Sequence, residues 1–340
     1  MSILVIYAGG TIGMQPGNDG LAPVAGALTA RLRQLAPDAE LLEYQPLLDS
    51  SAMGPLHWNR IAGDIVARSD RYAGFVVLHG TDTLAWTASA LALLLRGLGK
   101  PVILTGAMRP WFEQGSDAPG NVAAALALAD RASAFVEVGV VMAGQVWRGC
   151  RVRKLDCDHD DAFGAPNEAS LGVFVDGSWQ LDTARLRKPA CAMAEMAFIP
   201  LDVSARVLHV QLAPGFTAAW LAEALRYAEP DALLLQSFGS GNLPDQAALL
   251  EVLAALAARI PVVNLSICPR GSARPGLYAA SHLSGAVLLD GAGMTPEAAL
   301  AKLYAVTARS QDLATRQVAF LADWAGEHGE GDSPGGAVVV

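Results

Sequence analysis

Short β-branched and aliphatic runs alternate with helix-spaced apolar positions through the first half of the chain. The runs Ile3–Tyr7, Phe75–Leu78, Pro101–Leu104 and Val136–Met142 predict strands. Between the first two, Trp58, Ile61, Ala62, Ile65 and Val66 recur at helical spacing behind Pro55, a residue suited to a first helical turn, and predict an amphipathic crossover helix. Thr83–Leu95 and Asn121–Ala132, rich in Ala and Leu, supply two more. Alternation of this kind implies a parallel sheet covered on both faces. Periodicity weakens from Asp176 to Pro200, where Gly177, Pro189 and Pro200 punctuate the chain, and a linker is expected there. Beyond it, Val207–Leu212, Ala232–Gln236 and Ile260–Leu265 predict strands, with Phe216–Ala228 and Asp245–Ala258 as helices between them. Thr295-Pro296-Glu297 opens a further helix with a hydroxyl cap, a proline at the first position and an acid in the first turn.

The predicted fold class is therefore α/β, with two parallel-sheet domains joined by a linker. A larger N-terminal catalytic domain is expected over 1–180, a linker over 181–205, a smaller C-terminal domain over 206–325 and a fraying Gly-rich tail over 326–340. A length of 340 residues fits two cores, since single cores tend to split beyond roughly 250 to 300 residues. No internal repeat suggests an array.

Composition narrows the function. Hydrophobic residues make up 52% and charged residues 17%, which excludes disorder for the body of the chain. A net charge of -9 leaves no basic surplus for phosphates, so no nucleic-acid role is expected. The most apolar stretch, Leu84–Leu95, ends at Arg96 and is shorter than the ~20 residues a membrane span needs. Ser2-Ile3-Leu4-Val5-Ile6-Tyr7 runs straight into glycines with neither a basic start nor a small-residue cleavage site, so a cytoplasmic address is expected. Cys150, Cys157, Cys191 and Cys268 lack Cys-x-x-Cys spacing and read as reduced thiols. Cys150, Cys157 and His159 with Asp156, Asp158, Asp160 and Asp161 match no zinc spacing, and no metal is expected.

Ligands of open parallel sheets bind beyond the carboxyl ends of the strands, so the residues after each predicted strand carry the candidate chemistry. The first strand leads into Ala8-Gly9-Gly10-Thr11-Ile12-Gly13, where glycines permit unusual backbone geometry and leave a hydroxyl at the rim. The second leads into His79-Gly80-Thr81-Asp82-Thr83, and the segment after the fourth contains Lys154. A hydroxyl nucleophile needs a base that a third group orients, a need that Thr81, Asp82 and Lys154 can meet together. A proton-accepting lysine must be neutral for part of the cycle, which burial at the sheet rim would promote. Backbone N–H groups around Thr81 can stabilise an oxyanion. Each fragment also has a plainer explanation: a tight glycine turn, a helix cap at Thr81 or Asp82, a surface lysine, and a structural histidine at His79, to which no catalytic role is assigned.

Taken together, the first two of these segments resemble the signatures of the bacterial-type L-asparaginases. The resemblance extends through Gly99–Gly106, Ser116-Asp117 with Asn121, Gly149–Lys154 and Phe238-Gly239-Ser240-Gly241-Asn242, covering about Ile3 to Leu321. Gly13-Met14-Gln15 and Leu48-Asp49-Ser50-Ser51 look most like the cytoplasmic type I branch. The resemblance implies that Thr11 attacks the side-chain amide of L-asparagine, releases ammonia and leaves an aspartyl ester for water to hydrolyse. Thr81, Asp82 and Lys154 fall on the second catalytic group. Asp49, Ser50 and Ser51 would hold the amino-acid end, Asp82 would attract its ammonium, and Gly10 and Gly80 fall within the substrate-binding set. Asn242 would reach a neighbouring subunit's site, making a homodimer, alone or paired into a dimer of dimers, the expected assembly. No cofactor is implied.

Three departures stand out. Leu21, in Gly20-Leu21-Ala22-Pro23, occupies the hairpin position where the family usually has a tyrosine, and Tyr7 and Tyr44 are the nearest tyrosines in sequence. Ala8 replaces the first family threonine, which is tolerated if the second is the nucleophile. Gln236 stands where an allosteric arginine would be expected, so allostery near Gln236 and Cys268 is not predicted. Two alternative functions remain: a glutaminase-asparaginase, whose substrate differs by one methylene worth about 1 to 3 kcal/mol in a pocket, and a non-catalytic amino-acid sensor.

Overall fold

The computed structural model describes residues 2–17, 20–131, 134–188, 198–215, 217–273 and 288–329. The middle of the expected linker (189–197), Cys191, the predicted helix ends at Ala132 and Phe216, and the tail beyond 329 lie outside the described residues. The chain divides into two compact units, Met1–Phe198 and Ile199–Val340.

In chain order the first unit contains β1 (Ile3–Gly9), β2 (Met14–Gly17), β3 (Gly20–Pro23), α1 (Ala27–Leu35), β4 (Glu40–Leu48), α2 (Pro55–Val66), β5 (Gly74–Leu78) and α3 (Leu84–Leu94). It continues with β6 (Val102–Thr105), α4 (Ala118–Ala129), β7 (Val138–Met142), β8 (Gln145–Arg148), β9 (Arg153–Lys154), β10 (Phe163–Gly164), β11 (Gly172–Val175) and β12 (Ser178–Leu181). Its main sheet has the order β12-β11-β8-β7-β6-β5-β1-β4. The five strands from β4 to β7 are parallel, and β8, β11 and β12 extend that sheet antiparallel.

Every residue of β5, β6 and β7 is buried, as expected of strands covered on both faces. α3 is buried nearly all round, so its run of Ala and Leu needs no polar face. Pro55 starts α2, which buries Trp58, Ile61, Ala62 and Ile65 on one side.

The antiparallel strands correct the expectation of a linker starting at Asp176. Asp176 (φ 48) and Gly177 (φ 77) form the two-residue turn between the paired Val175 and Ser178, and positive φ at both positions is what a twisted hairpin requires. The residues that interrupt the apolar pattern thus turn a hairpin at the sheet edge, and Trp179 packs its ring against α4 with Nε1 donating to the Ala124 carbonyl at 2.9 Å.

The second unit carries a parallel sheet of order β13-β14-β15-β16, formed by Val207–Gln211, Ala232–Ser237, Val262–Ser266 and Leu289–Asp290. Helices α5 (Thr217–Ala228), α6 (Ala247–Ala257), α7 (Pro296–Arg309) and α8 (Leu313–Leu321) accompany it. The Thr295 hydroxyl accepts from the Ala298 N–H at 3.1 Å, so the cap read from Thr295-Pro296-Glu297 is formed. Beneath α7, the fully buried Lys302 donates to the Ala322 carbonyl and to the fully buried Glu327 carboxylate. Among the described residues no helix is long and apolar enough to cross a membrane.

Candidate active site

β1 has β4 on one side and β5 on the other, so the connection leaving β1 goes to one edge and the next returns across it. Such a switch of direction opens a crevice at the carboxyl ends of the strands. The segments after β1, β4 and β5 meet there, and they carry Thr11, Asp49 to Ser51, and Thr81 with Asp82.

Thr11 opens a single 3-10 turn, Thr11–Gly13, immediately after β1. Gly10 leads into it at φ 100 and ψ 173, a conformation reserved for glycine. A Cβ on Gly10 would fall 2.3 Å from the Gly80 nitrogen, so the two loops touch backbone to backbone. A Cβ on Gly80 would fall 2.5 Å from the Ser50 hydroxyl oxygen, which brings the β4 loop into the same contact. Thr83 Oγ1 donates to the Ser50 carbonyl at 2.6 Å and stitches the β4 and β5 loops together. Asp49 Oδ1 accepts from the Ser51 N–H at 2.9 Å, and both of these residues are exposed.

Thr81, Asp82 and Lys154 converge. Lys154 Nζ donates to Thr81 Oγ1 at 3.0 Å and to Asp82 Oδ1 at 2.8 Å. Lys154 projects from β9, which pairs with β10 as a separate ribbon. Its side chain is 19% exposed and that of Asp82 is 66% exposed. The lysine at the rim is therefore only partly buried, with a carboxylate beside it. Among the described residues no hydrogen bond joins the Thr11 hydroxyl to this group, and the link between them is the Gly10–Gly80 contact. Asn242 belongs to the second unit, where its N–H donates to the Phe238 carbonyl at 2.8 Å and its side-chain oxygen is buried without a hydrogen-bond partner.

Leu21 lies on β3 opposite Pro16 and is 48% exposed. Sequence spacing could not choose between Tyr7 and Tyr44 as its substitute, and their environments differ. Tyr44 is committed to Asp64 Oδ2 at 2.8 Å under the Arg60 guanidinium. The Tyr7 hydroxyl is buried without a hydrogen-bond partner, in the space a Cβ on Gly13 would fill, and burial followed by the nearby Glu43 charge pushes its pKa upward.

Other motif positions serve the scaffold. Asp117 accepts from the N–H groups of Met108 and Arg109, and Asn121 donates to the Gly106 carbonyl and accepts from the Ala143 N–H, so this pair clamps the loop after β6. In the acidic stretch, Asp156, Cys157 and Asp158 lie together, but Asp156 is already bound by the Asp158 N–H and by His159, which hold its pKa down to about 2. Asp160 pairs with Arg109. Among the described residues, Cys150, Cys157 and Cys268 form no disulfide.

A role that sequence reasoning missed lies beneath Gly80. His79 is fully buried, with Nδ1 2.7 Å from the Gly80 carbonyl and Nε2 2.9 Å from Thr87 Oγ1. Burial holds its pKa down to about 4, although the Gly80 hydrogen bond opposes this. Thr87 Oγ1 in turn accepts from Trp58 Nε1 at 3.0 Å.

Comparison with known proteins extends over both units. Residues 2–187 match the family described as "Asparaginase, N-terminal", and residues 206–320 match "Glutaminase/Asparaginase C-terminal domain". L-asparaginase 1 of Escherichia coli K12 is 39% identical, with 96% of this chain and 97% of that protein covered. The solved structure of the thermostable L-asparaginase from Thermococcus kodakarensis superposes with a TM-score of 0.85 at 30% identity, covering 96% of this chain and 99% of that one. The probable cytoplasmic L-asparaginase from Campylobacter jejuni gives a TM-score of 0.77 at 25% identity over 95% and 99%.

Proposed function

The chain belongs to the asparaginase family, and from that premise we propose that it hydrolyses L-asparagine to L-aspartate and ammonia through an ester on Thr11. The observation that carries this reading is the convergence of Lys154, Thr81 and Asp82 on a loop packed directly against the nucleophile's own. Thr11 Oγ forms a bond to the amide carbon, and the carbonyl oxygen takes up negative charge that backbone N–H groups around Thr81 stabilise. The C–N bond then breaks, and the hydroxyl proton leaves with ammonia after passing through the Thr81–Lys154 pair. Water attacks the ester, returns a proton to Thr11 and releases aspartate.

The ion pair suggests how the lysine is released for this work. Asp82 is the more exposed partner, so the substrate ammonium approaches it and competes with Lys154 for its charge. Asp49, Ser50 and Ser51 hold the amino-acid end, with Gly10 and Gly80 leaving room for its backbone approach. Asn242 completes the site of a neighbouring subunit in a homodimer or a dimer of dimers. The Campylobacter relative, titled a probable cytoplasmic enzyme, supports a cytoplasmic address.

Ammonia release from asparagine and from glutamine by the purified protein tests the reading. Turnover of asparagine with glutamine slower is expected. Binding of aspartate without ammonia from either amide would instead identify a sensor.

A further inference from the structure

Gly80 presents a mechanical problem. A side chain there would strike the Ser50 hydroxyl, so the position must be glycine, yet glycine leaves the peptide ahead of Thr81 free to rotate. Packing by Gly10 closes one side only. Something else has to fix that peptide if the residue after it is to hold a defined direction.

The hydrogen bonds beneath it have one consistent assignment. Indole Nε1 only donates, so Thr87 Oγ1 accepts from Trp58. The Gly80 carbonyl only accepts, so His79 Nδ1 carries a proton. In a neutral ring Nε2 is then bare, and the Thr87 hydroxyl donates its single proton to it. Trp58 thus orders Thr87, Thr87 sets the His79 tautomer, and His79 grips the Gly80 oxygen. The His79 backbone is itself anchored, its N–H donating to the Thr105 carbonyl at 2.9 Å.

We propose that His79 is a positioning residue whose hydrogen bond to the Gly80 carbonyl, aligned by Thr87 and Trp58, locks the Gly80–Thr81 peptide for catalysis. The trans peptide is planar, so fixing its oxygen toward the buried ring points the Thr81 N–H the opposite way. The same lock sets the start of the short turn from which the Thr81 hydroxyl meets Lys154. His79 touches no reacting atom and exchanges no proton in this scheme. The inference rests on the proposed role of Thr81.

The test compares Thr87→Val, Thr87→Ser, His79→Leu and His79→Asn with the parent protein, each checked for folding by circular dichroism and for aspartate binding by calorimetry. Thr87→Val keeps the shape and removes the hydroxyl. It and His79→Leu are expected to lower kcat for asparagine about 10- to 100-fold, part of what losing a whole oxyanion donor costs, with KM within about threefold. Thr87→Ser restores the hydroxyl and should keep kcat within about twofold of the parent. Asn places an amide donor near the Nδ1 position, so His79→Asn should exceed His79→Leu about fivefold or more.

Folded Thr87→Val retaining parental kcat, or Thr87→Ser as impaired as Thr87→Val, overturns the proposal. If His79→Leu does not fold, the Thr87 pair decides alone. Failure of the parent to release ammonia, or full activity in Thr11→Ala, would instead remove the underlying functional reading.

Discussion

Gly10→Ala puts the junction of the two loops under direct test. The added Cβ would lie 2.3 Å from the Gly80 nitrogen, 2.4 Å from its Cα and 2.8 Å from the His79 carbonyl carbon. Ordinary contact needs about 3.5 Å, so relief requires a separation of roughly 1 Å. All three obstructing atoms are backbone, and β1 and β5 are paired up to Tyr7 and Leu78, so the strand ends cannot part without moving Thr11 relative to Thr81 and Lys154. A misplacement of about 1 Å lowers turnover on the order of 100-fold. The conformation at φ 100 adds strain of about 1 to 3 kcal/mol for any residue with a side chain. Gly63→Ala in α2 is the control, because no heavy atom lies within 4 Å of its Cβ position, and Ala there should stabilise by up to about 1 kcal/mol without changing kcat. Ammonia release gives kcat, and urea unfolding of the same samples gives stability. Folded Gly10→Ala with kcat within about threefold of the parent would refute the argument that this contact sets the nucleophile's place.

Four further outcomes are expected. Thr11→Ala should lower ammonia release about 1,000-fold or more while calorimetry still detects aspartate binding. Lys154→Met should lower kcat about 100- to 10,000-fold by removing the partner that Thr81 and Asp82 share, read from steady-state kinetics. Acid should destabilise the first unit through His79. Its folded pKa of about 4 lies below the unfolded value near 6.5, so its contribution of about 3 kcal/mol is complete above pH ~6.5 and is lost as pH falls through about 4. Urea midpoints between pH 4 and 7 check this, and the slope should shrink in His79→Asn. Glu327→Gln removes the carboxylate that faces the fully buried Lys302 and should lower stability by about 3 kcal/mol in urea unfolding.

What the chain reveals before its structure follows from how local each feature is. β5, β6 and β7 are buried on both faces and read as continuous apolar runs. β4 escaped notice because it is an edge strand whose residues are mostly half-buried or exposed, with Pro46 near its end. The β11–β12 hairpin escaped because its strands are short and its turn residues resemble linker punctuation. The loops carrying Thr11 and Thr81 were visible as glycine and hydroxyl clusters behind strands, and the resemblance to a family gave those clusters roles. The partnership of Lys154 with Thr81 spans 73 residues and joins the separate β9–β10 ribbon to the turn after β5, so no local pattern encodes it. His79 looked structural because its partners, Thr87 and Trp58, come from two different helices; only their assembly shows that the histidine grips the loop above it.

The most direct measurement is mass spectrometry of the protein mixed with asparagine, quenched in acid within the first turnover and digested. The peptide carrying Thr11 should gain the mass of one aspartyl group, with fragmentation assigning the ester to the Thr11 oxygen, and Thr11→Ala should gain none. An aspartyl adduct on Thr81, or rapid ammonia release with every quenched peptide unmodified, would contradict the assignment of Thr11 as the nucleophile.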